Sequence, residues 1–428
     1  MGCTICHKLR PYSLRHAKLG GAERFEIDSL ELVRSVQDGH CPECRLLFDA
    51  INTHSTGWQE RGRLITVVVG NGEPVRVAIY EEDISKMIFR HDNDAAEDSP
   101  VVIGSRPRVP RRSDSHESLR DLKSWYFTCK SSHPQCEQTE QPKLPTRVLN
   151  LGNSSSSTDD ISVNESGSSQ GAYVALSYCW GHSESHPPLK LTRESRDSFQ
   201  QRLSFASLPL TFQHAVLIAR RLRFQYLWID ALCIIQDNED DWRAEAAKMC
   251  DVYSNATITI IASRSDGTSG GLFRDQAFSQ VSEVPYRQSS VNVIDENAFR
   301  HGGHDPVTRR AWTMPEAMLS NRVILFTSEE LRWECNEDRH CQCLEYASAG
   351  ESDYGDEPHI YRLSRLLRLE TMATIETIQG AYTLWNSTVS TYAKRTLTNE
   401  SDRLLALSGV ARRFAERLRP FSIATNNT

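Results

Sequence analysis

The sequence predicts an α/β protein: a parallel sheet with helices on both faces, preceded by a cysteine-bearing α+β region and followed by a helical one. Three observations carry this. Short apolar runs recur at 173–178, 225–229, 257–262 and 322–326, each of a length suited to a buried strand. Amphipathic stretches lie between them, and strands alternating with helices imply parallel pairing with both faces covered. Two closely spaced cysteine pairs, Cys3/Cys6 and Cys41/Cys44, set the N-terminal region apart.

The elements follow in order, with boundaries expected near 144 and 335. Residues 1–144 hold a helical stretch at 30–51 and strand-like runs at 64–69 and 75–80. Asn71-Gly72 between those runs is a hairpin signal. Residues 91–118 are polar, charged and proline-bearing and read as a linker; a short helix over 119–128 follows. Residues 145–335 form the central domain. Serine dominates 153–170, which reads as a flexible surface loop. A helix starts near Thr211, just after Pro209, with Phe212, Val216, Ala219 and Leu222 on its apolar stripe. A second is expected over 242–256, striped by Trp242, Ala246, Met249 and Tyr253 and opened by the acids Asp237, Glu239, Asp240 and Asp241. Residues 336–428 are helical, with Leu363, Leu366 and Leu367 on one face and Leu404, Leu407, Ala411, Phe414 and Leu418 on another; Gly409 interrupts that second stripe.

Composition narrows the function. Hydrophobic residues make up 39% and charged residues 25% of 428, as in a soluble globular protein. A net charge of −7 gives no global field for nucleic acid. No apolar run reaches membrane-span length, and MGCTICHKLR lacks the apolar core of a secretory signal. Gly2 does not complete a myristoylation motif, because Cys6 stands where Ser or Thr belongs. The cytoplasm is the expected location, where the 12 cysteines read as core, metal or reactive thiols before disulfides.

Two positions in the central domain invite chemistry. Asp230 falls just past the 225–229 strand, where ligand crevices form in open α/β sheets. Glu245 lies three residues after Trp242 and four before Met249, at the border of the buried stripe; it is either a boundary residue paired with a cation or a carboxylate tuned by partial burial. Cys233, flanked by Leu232 and Ile234, reads as a small core residue, as do Cys179, Cys250 and Cys335. Arg264 reads as the partner of a loop acid before a phosphate contact, and Glu316 as a cap or a site residue.

Several segments together resemble the fungal heterokaryon-incompatibility (HET) domain: LPTRVLNL at 144–151, YVALSYCWG at 173–181, LPLTFQHAVLIARRLRFQYLWIDALCIIQD at 208–237, DWRAEAAKMCDVYSNATITIIAS at 241–263 and RAWTMPEAMLSNRVILF at 310–326. The resemblance implies a role in fungal self/non-self recognition and programmed cell death, and a fold similar to the Toll/interleukin-1-receptor (TIR) domain, a flavodoxin-like arrangement. In NAD-cleaving relatives of that fold the helix matching 242–256 carries the catalytic glutamate, and Glu245 is the matching position. The sequence departs from the family at His214, where an acid is usual, and at Pro315, where glutamine is usual.

Two functional readings follow. In the first, NAD is the substrate: Glu245 stabilises an oxocarbenium-like state, Ser177, Tyr178, Trp180 and Gly181 hold the ligand on the loop after the first strand, and Asp230 orients a ribose hydroxyl. No G-x-G-x-x-G or Walker motif is present. In the second, the domain signals without catalysis, by self-assembly or through other incompatibility proteins, and Trp180, Trp228, Trp242 and Trp312 are mainly core. Separately, Cys3, Cys6, Cys41 and Cys44 have paired-thiolate spacing suited to structural zinc, against a bland alternative of reduced cysteines. His7, His40 or the Cys129, His133, Cys136 trio are substitute ligands; taken alone, that trio reads as packing and turn chemistry before metal binding.

Overall fold

A computed structural model describes residues 3–9, 22–39, 41–59, 62–70, 75–79, 85–92, 105–106, 108–138, 141–152, 161–181, 189–276, 281–286, 289–295, 305–343 and 375–424. The chain divides into two compact units, which differ from the boundaries drawn at 144 and 335. The first joins Met1–Arg111 to Gln276–His301 and Gln342–Glu345; the second takes Arg112–Asp275, Gly302–Cys341 and Tyr346–Thr428.

The first unit is an antiparallel sheet with two helices. Its main strands run Ala22–Asp28, Leu64–Gly70, Val75–Ile79, Ser85–Asp92, Ser289–Asp295, Ser282–Tyr286 across the sheet. Apolar residues at 65, 67 and 69, then 75, 77 and 79, then 291 and 293, are buried at every second position, the period-two spacing of a sheet with one face on a core; Thr66 and Asn292 between them are buried as well. The expected hairpin strands pair antiparallel, Ile65 opposite Ile79; the Asn71-Gly72 turn lies outside the described residues. The single helix expected over 30–51 is two, Ser29–Gln37 and Pro42–His54. Gly39 at φ 74 ends the first, as glycine readily does, and Pro42 opens the second, where its missing N–H costs nothing.

The second unit contains, in chain order, α1 (His116–Ser132), β1 (Arg147–Asn150), β2 (Ser162–Glu165), β3 (Tyr173–Ser177), α2 (Leu210–Arg221), β4 (Tyr226–Trp228), α3 (Glu239–Ala246), α4 (Met249–Asn255), β5 (Ile258–Ile261), α5 (Thr313–Leu319), β6 (Arg322–Phe326), β7 (Leu331–Cys335), β8 (Arg339–Cys341), α6 (Ile375–Ala393) and α7 (Arg403–Ala424). Its sheet order is β8-β7-β6-β5-β3-β4-β1-β2. The inner strands β4, β3, β5 and β6 are parallel, and every residue of β3 and β5 is buried.

The sheet is mixed, not purely parallel. β7 and β8 add antiparallel at one edge and β1 and β2 at the other. The turn from β6 to β7, closed by Thr327 N–H on the Glu330 carbonyl at 3.3 Å, is too short for a crossover and forces antiparallel pairing. β2 lies inside the stretch expected to be a loop. There Ile161 and Val163 are buried, an alternation the surrounding serines disguise.

The helix expected over 242–256 is broken. Lys248 N–H bonds the Glu245 carbonyl at 2.9 Å, three residues back rather than four, so α3 and α4 meet at a tight turn. The apolar stripe survives it, with Ala246 and Tyr253 both buried. α7 buries Ala406, Val410 and Phe414, while Leu404 is 83% exposed. Of the expected stripe Phe414 is buried and Leu407 packs on the core, while the face shifts from Leu404 toward Ala406 and Val410, because Gly409 brings it against α4 and α5. Residues 363–367 lie outside the described residues. No helix among the described residues is long and apolar enough to cross a membrane.

Candidate functional site

The carboxyl ends of the parallel strands gather the polar side chains. Asp230 follows β4 and opens a short helical turn. One carboxylate oxygen accepts from Tyr178 Oη at 2.8 Å and from the Ala231 N–H at 2.7 Å, and the other accepts from Trp180 Nε1 at 2.7 Å. Asp230 thus fixes the loop after β3 rather than presenting both oxygens outward. The Arg310 guanidinium stands 5.9 Å from the Trp180 ring centre, cation–π range. Gly181, at φ +85, has a direction for Cβ that ends 3.1 Å from the Gly267 Cα. Its close approach is to backbone, which locks the β3 loop against the loop after β5.

Beside this loop lies Glu316 on α5, 7% exposed. Burial pushes its carboxyl up to about 7; the Ser177 hydroxyl, the Arg310 cation and Tyr253 pull it down, while Asp230 pushes it further up. Two carboxylates of different character therefore share the strand ends: Asp230 holds three donors, and Glu316 is proton-retaining. Such a separation of environments is how acid and base roles are assigned in enzymes.

Glu316 also lines a cavity of about 170 Å³ between α3, α4, α5 and α7, with Tyr253, Trp312, Pro315, Gly409 and Arg412 among its walls. Pro315 occupies the first turn of α5, a position with no helical N–H bond to lose; Glu316 N–H still reaches the Trp312 carbonyl at 3.3 Å.

Glu245 is buried, at 3% exposure, but faces elsewhere. Its Oε1 pairs with Lys248 Nζ at 2.8 Å, and the same ammonium donates to Thr146 Oγ1 at 3.0 Å. The i,i+3 pair exists because of the tight turn between α3 and α4. Ala246 and Ala247 line the cavity, and Glu245 does not. Nearby, Arg147 Nη2 meets Asp241 at 2.5 Å and its Nε donates to the Cys233 carbonyl at 2.7 Å, which pins the start of α3 to β1. The Cys233 thiol is fully enclosed, and burial pushes it up to about 12.

His214 on α2 accepts two backbone N–H groups at Nδ1, from Leu272 at 2.9 Å and Phe273 at 3.2 Å, and stacks on Phe273 with ring centres 4.1 Å apart. Burial lowers its imidazole to about 4, so it is a neutral acceptor. A carboxylate would satisfy the same two donors, so the departure at this position preserves the contact. Arg264 donates to the Asp275 carbonyl at 3.1 Å, a loop-bracing role.

In the first unit, Cys3, Cys6, Cys41 and Cys44 converge, their four sulfurs within 4.8 Å of one another. Cys3 and Cys44 sulfurs are 3.7 Å apart, and those of Cys6 and Cys41 are 3.3 Å apart. Tetrahedral zinc with bonds near 2.3 Å requires sulfurs roughly 3.8 Å apart, whereas a disulfide requires about 2.05 Å. His7, Lys8 and Leu9 hold φ values of 49, 57 and 52, a left-handed turn that non-glycine residues adopt only against strain. That turn wraps the chain around Cys6. The donor set fits a structural metal, with all positions filled by thiolate.

Residues 173–316 match the heterokaryon incompatibility protein (HET) family. Heterokaryon incompatibility protein 6, OR allele, of Neurospora crassa is 30% identical over 127 residues, covering 28% of this chain and 19% of that protein. The aligned region thus spans about a fifth of the relative's length. No solved structure matches the chain.

Proposed function

We propose that this chain, whose residues 173–316 are a heterokaryon-incompatibility domain, acts in fungal heterokaryon incompatibility as a cytoplasmic effector of programmed cell death, cleaving the nicotinamide–ribose bond of NAD at the ends of its parallel strands. The observation that carries the enzymatic half is the buried Glu316, its carboxyl raised to about 7 beside a second carboxylate, Asp230. Nicotinamide departs neutral and leaves a positive ribosyl centre; Glu316 in its ionised form stabilises that centre and takes the proton of the water that adds to the ribosyl carbon. Strand order supports a TIR-like, flavodoxin-like reading. Counted along the chain, the parallel core runs second, first, third, fourth, and in that topology ligands sit between the first and third strands. Ser177 and Tyr178 leave the first of these strands, β3, toward that crevice.

Glu316 displaces Glu245 as the preferred acid in this reading, because Glu245 is engaged by Lys248 away from the cavity. The test is nicotinamide release from NAD by purified full chain, with Glu316→Gln and Glu245→Gln. The expected outcome is a loss of roughly 100-fold or more in Glu316→Gln, the scale of a lost general acid–base group, with Glu245→Gln near wild type. The reverse pattern restores Glu245 to the centre.

One observation favours a non-catalytic, self-assembling module instead. A cavity of about 170 Å³ is below the roughly 300–1,000 Å³ of most ligand pockets, so it admits one ring and not a whole dinucleotide. Wild-type protein that kills a fungal host without releasing nicotinamide selects that reading. The first unit, in either case, holds a structural zinc ion on Cys3, Cys6, Cys41 and Cys44; wild type should bind it and Cys41→Ser should lose it by elemental analysis.

A further inference from the structure

We propose that the second unit contains its own structural zinc centre, formed by Cys129, His133, Cys136 and Cys335. The ligand atoms of these four residues lie within 4.8 Å of one another. Three come from one short run at the end of α1. Cys129 is on its last turn, His133 is the residue that ends it, and Cys136 closes the 3-10 turn Pro134–Cys136. The fourth, Cys335, is the last residue of β7, about two hundred positions later. His133 Nδ1 stands 3.3 Å from the Cys335 sulfur, near the roughly 3.5 Å that tetrahedral zinc sets between a sulfur and an imidazole nitrogen with bonds of about 2.3 and 2.0 Å. Three sulfurs and one nitrogen leave no open position, which marks a structural ion rather than a catalytic one.

Two further observations point to thiolates at this position. The sulfurs are aimed at by donors: the Asp338 N–H reaches the Cys335 Sγ at 3.3 Å, and Arg322 Nε reaches the Cys129 Sγ at 3.2 Å. Outer-shell donors of this kind orient ligands and hold their charge. Arg322 itself is only 5% exposed. Its remaining bonds go to neutral acceptors, the Cys136 carbonyl at 2.5 Å, Gln138 Oε1 at 2.8 Å and the Thr257 carbonyl at 3.4 Å. Among the described residues no carboxylate forms an ion pair with it. A buried guanidinium without a counter-charge is costly. Three thiolates and a neutral imidazole around Zn²⁺ carry a net charge of about −1, the missing counter-charge. Protonated thiols would leave Arg322 uncompensated.

The turns around the ligands are also tied to each other. Gln135 N–H donates to the Glu337 carboxylate, and Asn336 Nδ2 donates to the Gln135 carbonyl at 2.8 Å. The ion would therefore staple the helix that precedes the sheet to β7, the strand next to the sheet's edge. All four ligands and Arg322 belong to the second unit, so this centre is independent of the one on Cys3, Cys6, Cys41 and Cys44.

The experiment measures zinc in the purified, reduced full chain by elemental analysis, in wild type, in Cys41→Ser/Cys44→Ser and in Cys136→Ser/Cys335→Ser. The expected results are two equivalents, one and one. Cobalt substitution of Cys41→Ser/Cys44→Ser should give a d–d envelope and sulfur charge-transfer bands of a three-sulfur, one-nitrogen site, shifted toward the all-sulfur pattern in the same background by His133→Cys. That spectrum does not depend on the Cys136→Ser/Cys335→Ser protein folding. A Cys41→Ser/Cys44→Ser protein that is folded and contains no zinc, or a disulfide between Cys129 and Cys136 found by mass spectrometry in protein purified without reductant, overturns the proposal. One equivalent in wild type, lost on Cys335→Ser but not on Cys41→Ser, would leave this centre standing and remove the N-terminal one.

Discussion

Glu316 is the residue where burial, charge and position meet, and its protonation should be visible in stability. Its carboxyl is raised from 4.5 to about 7 in the folded chain, so between those values the folded state holds a proton that the unfolded state has released. Stability then falls as pH rises through that window and levels off above it. The size is about 3 kcal/mol from a shift of this order, at 1.36 kcal/mol for each pH unit. Thermal melts from pH 5 to 8 should show wild type losing stability along that range and Glu316→Gln losing much less of it; parallel curves for the two proteins would place the titration elsewhere. His214 works in the opposite direction, since its lowered imidazole favours the fold above its unfolded value and loses that contribution as pH falls toward about 4. Asp230 was legible in the sequence because it ends an apolar strand, a place defined by local pattern. Glu316 was less so: its environment is assembled from β3, α4 and the segment before α5, and no local spacing reveals it. Glu245 was visible for the right local reason, its place on the border of a stripe, yet the tight turn at Lys248 gave it a cation three residues on.

At the scale of elements, short apolar runs located β3, β5 and β6 because these inner strands are buried at nearly every position. β2 escaped because an edge strand needs only alternate positions, and here they are surrounded by serine. α7 was recognised as a helix and its buried face only in part: Phe414 is buried and Leu407 packs on the core, while Leu404 is exposed and Ala406 and Val410 take its place, since large residues mark a stripe only where the partner surface leaves room for them. Gly409 shows why. A Cβ there would stand 2.7 Å from the Cys250 Cβ and 3.0 Å from its Sγ. Small residues are what lets α7 approach α4. Gly409→Ala gains about 1 kcal/mol of helix propensity but overpacks the contact at a cost of about 1–3 kcal/mol. The net expectation is a destabilised protein with a smaller cavity, read as a lower melting temperature. Adding Cys250→Ala removes the sulfur contact and should recover part of the loss, a coupling between neighbours. A Gly409→Ala chain as stable as wild type would mean that the helices separate freely at this point.

For the whole molecule, the informative feature is that the first unit is discontinuous in sequence. Ser282–Tyr286 and Ser289–Asp295 pair with each other and then with Ser85–Asp92, so the N-terminal sheet is completed by a segment from within the region that matches the HET family. The long interval between β5 and α5 is therefore an excursion that builds another sheet. This could not be read from local pattern, because Val284, Tyr286, Val291 and Val293 alternate over only a few residues and their pairing partner lies about two hundred positions earlier. The same holds for Cys335 and its partners on α1: contacts that span the chain leave no trace in spacing. A fragment ending at residue 144 would keep Ser85–Asp92 but lose the strand that covers its edge, exposing unpaired backbone groups of the kind that drive aggregation. The excised hairpin, carried on a 145–335 fragment, would be a two-stranded ribbon, marginal alone in water. We expect residues 1–111 joined by a short linker to 276–301 to express as a soluble, cooperatively melting protein, while 1–144 aggregates. Size-exclusion chromatography and thermal melts of the two decide it. A monomeric, cooperatively folded 1–144 fragment would show that the closing hairpin is an appendage to the sheet rather than part of its cooperative unit.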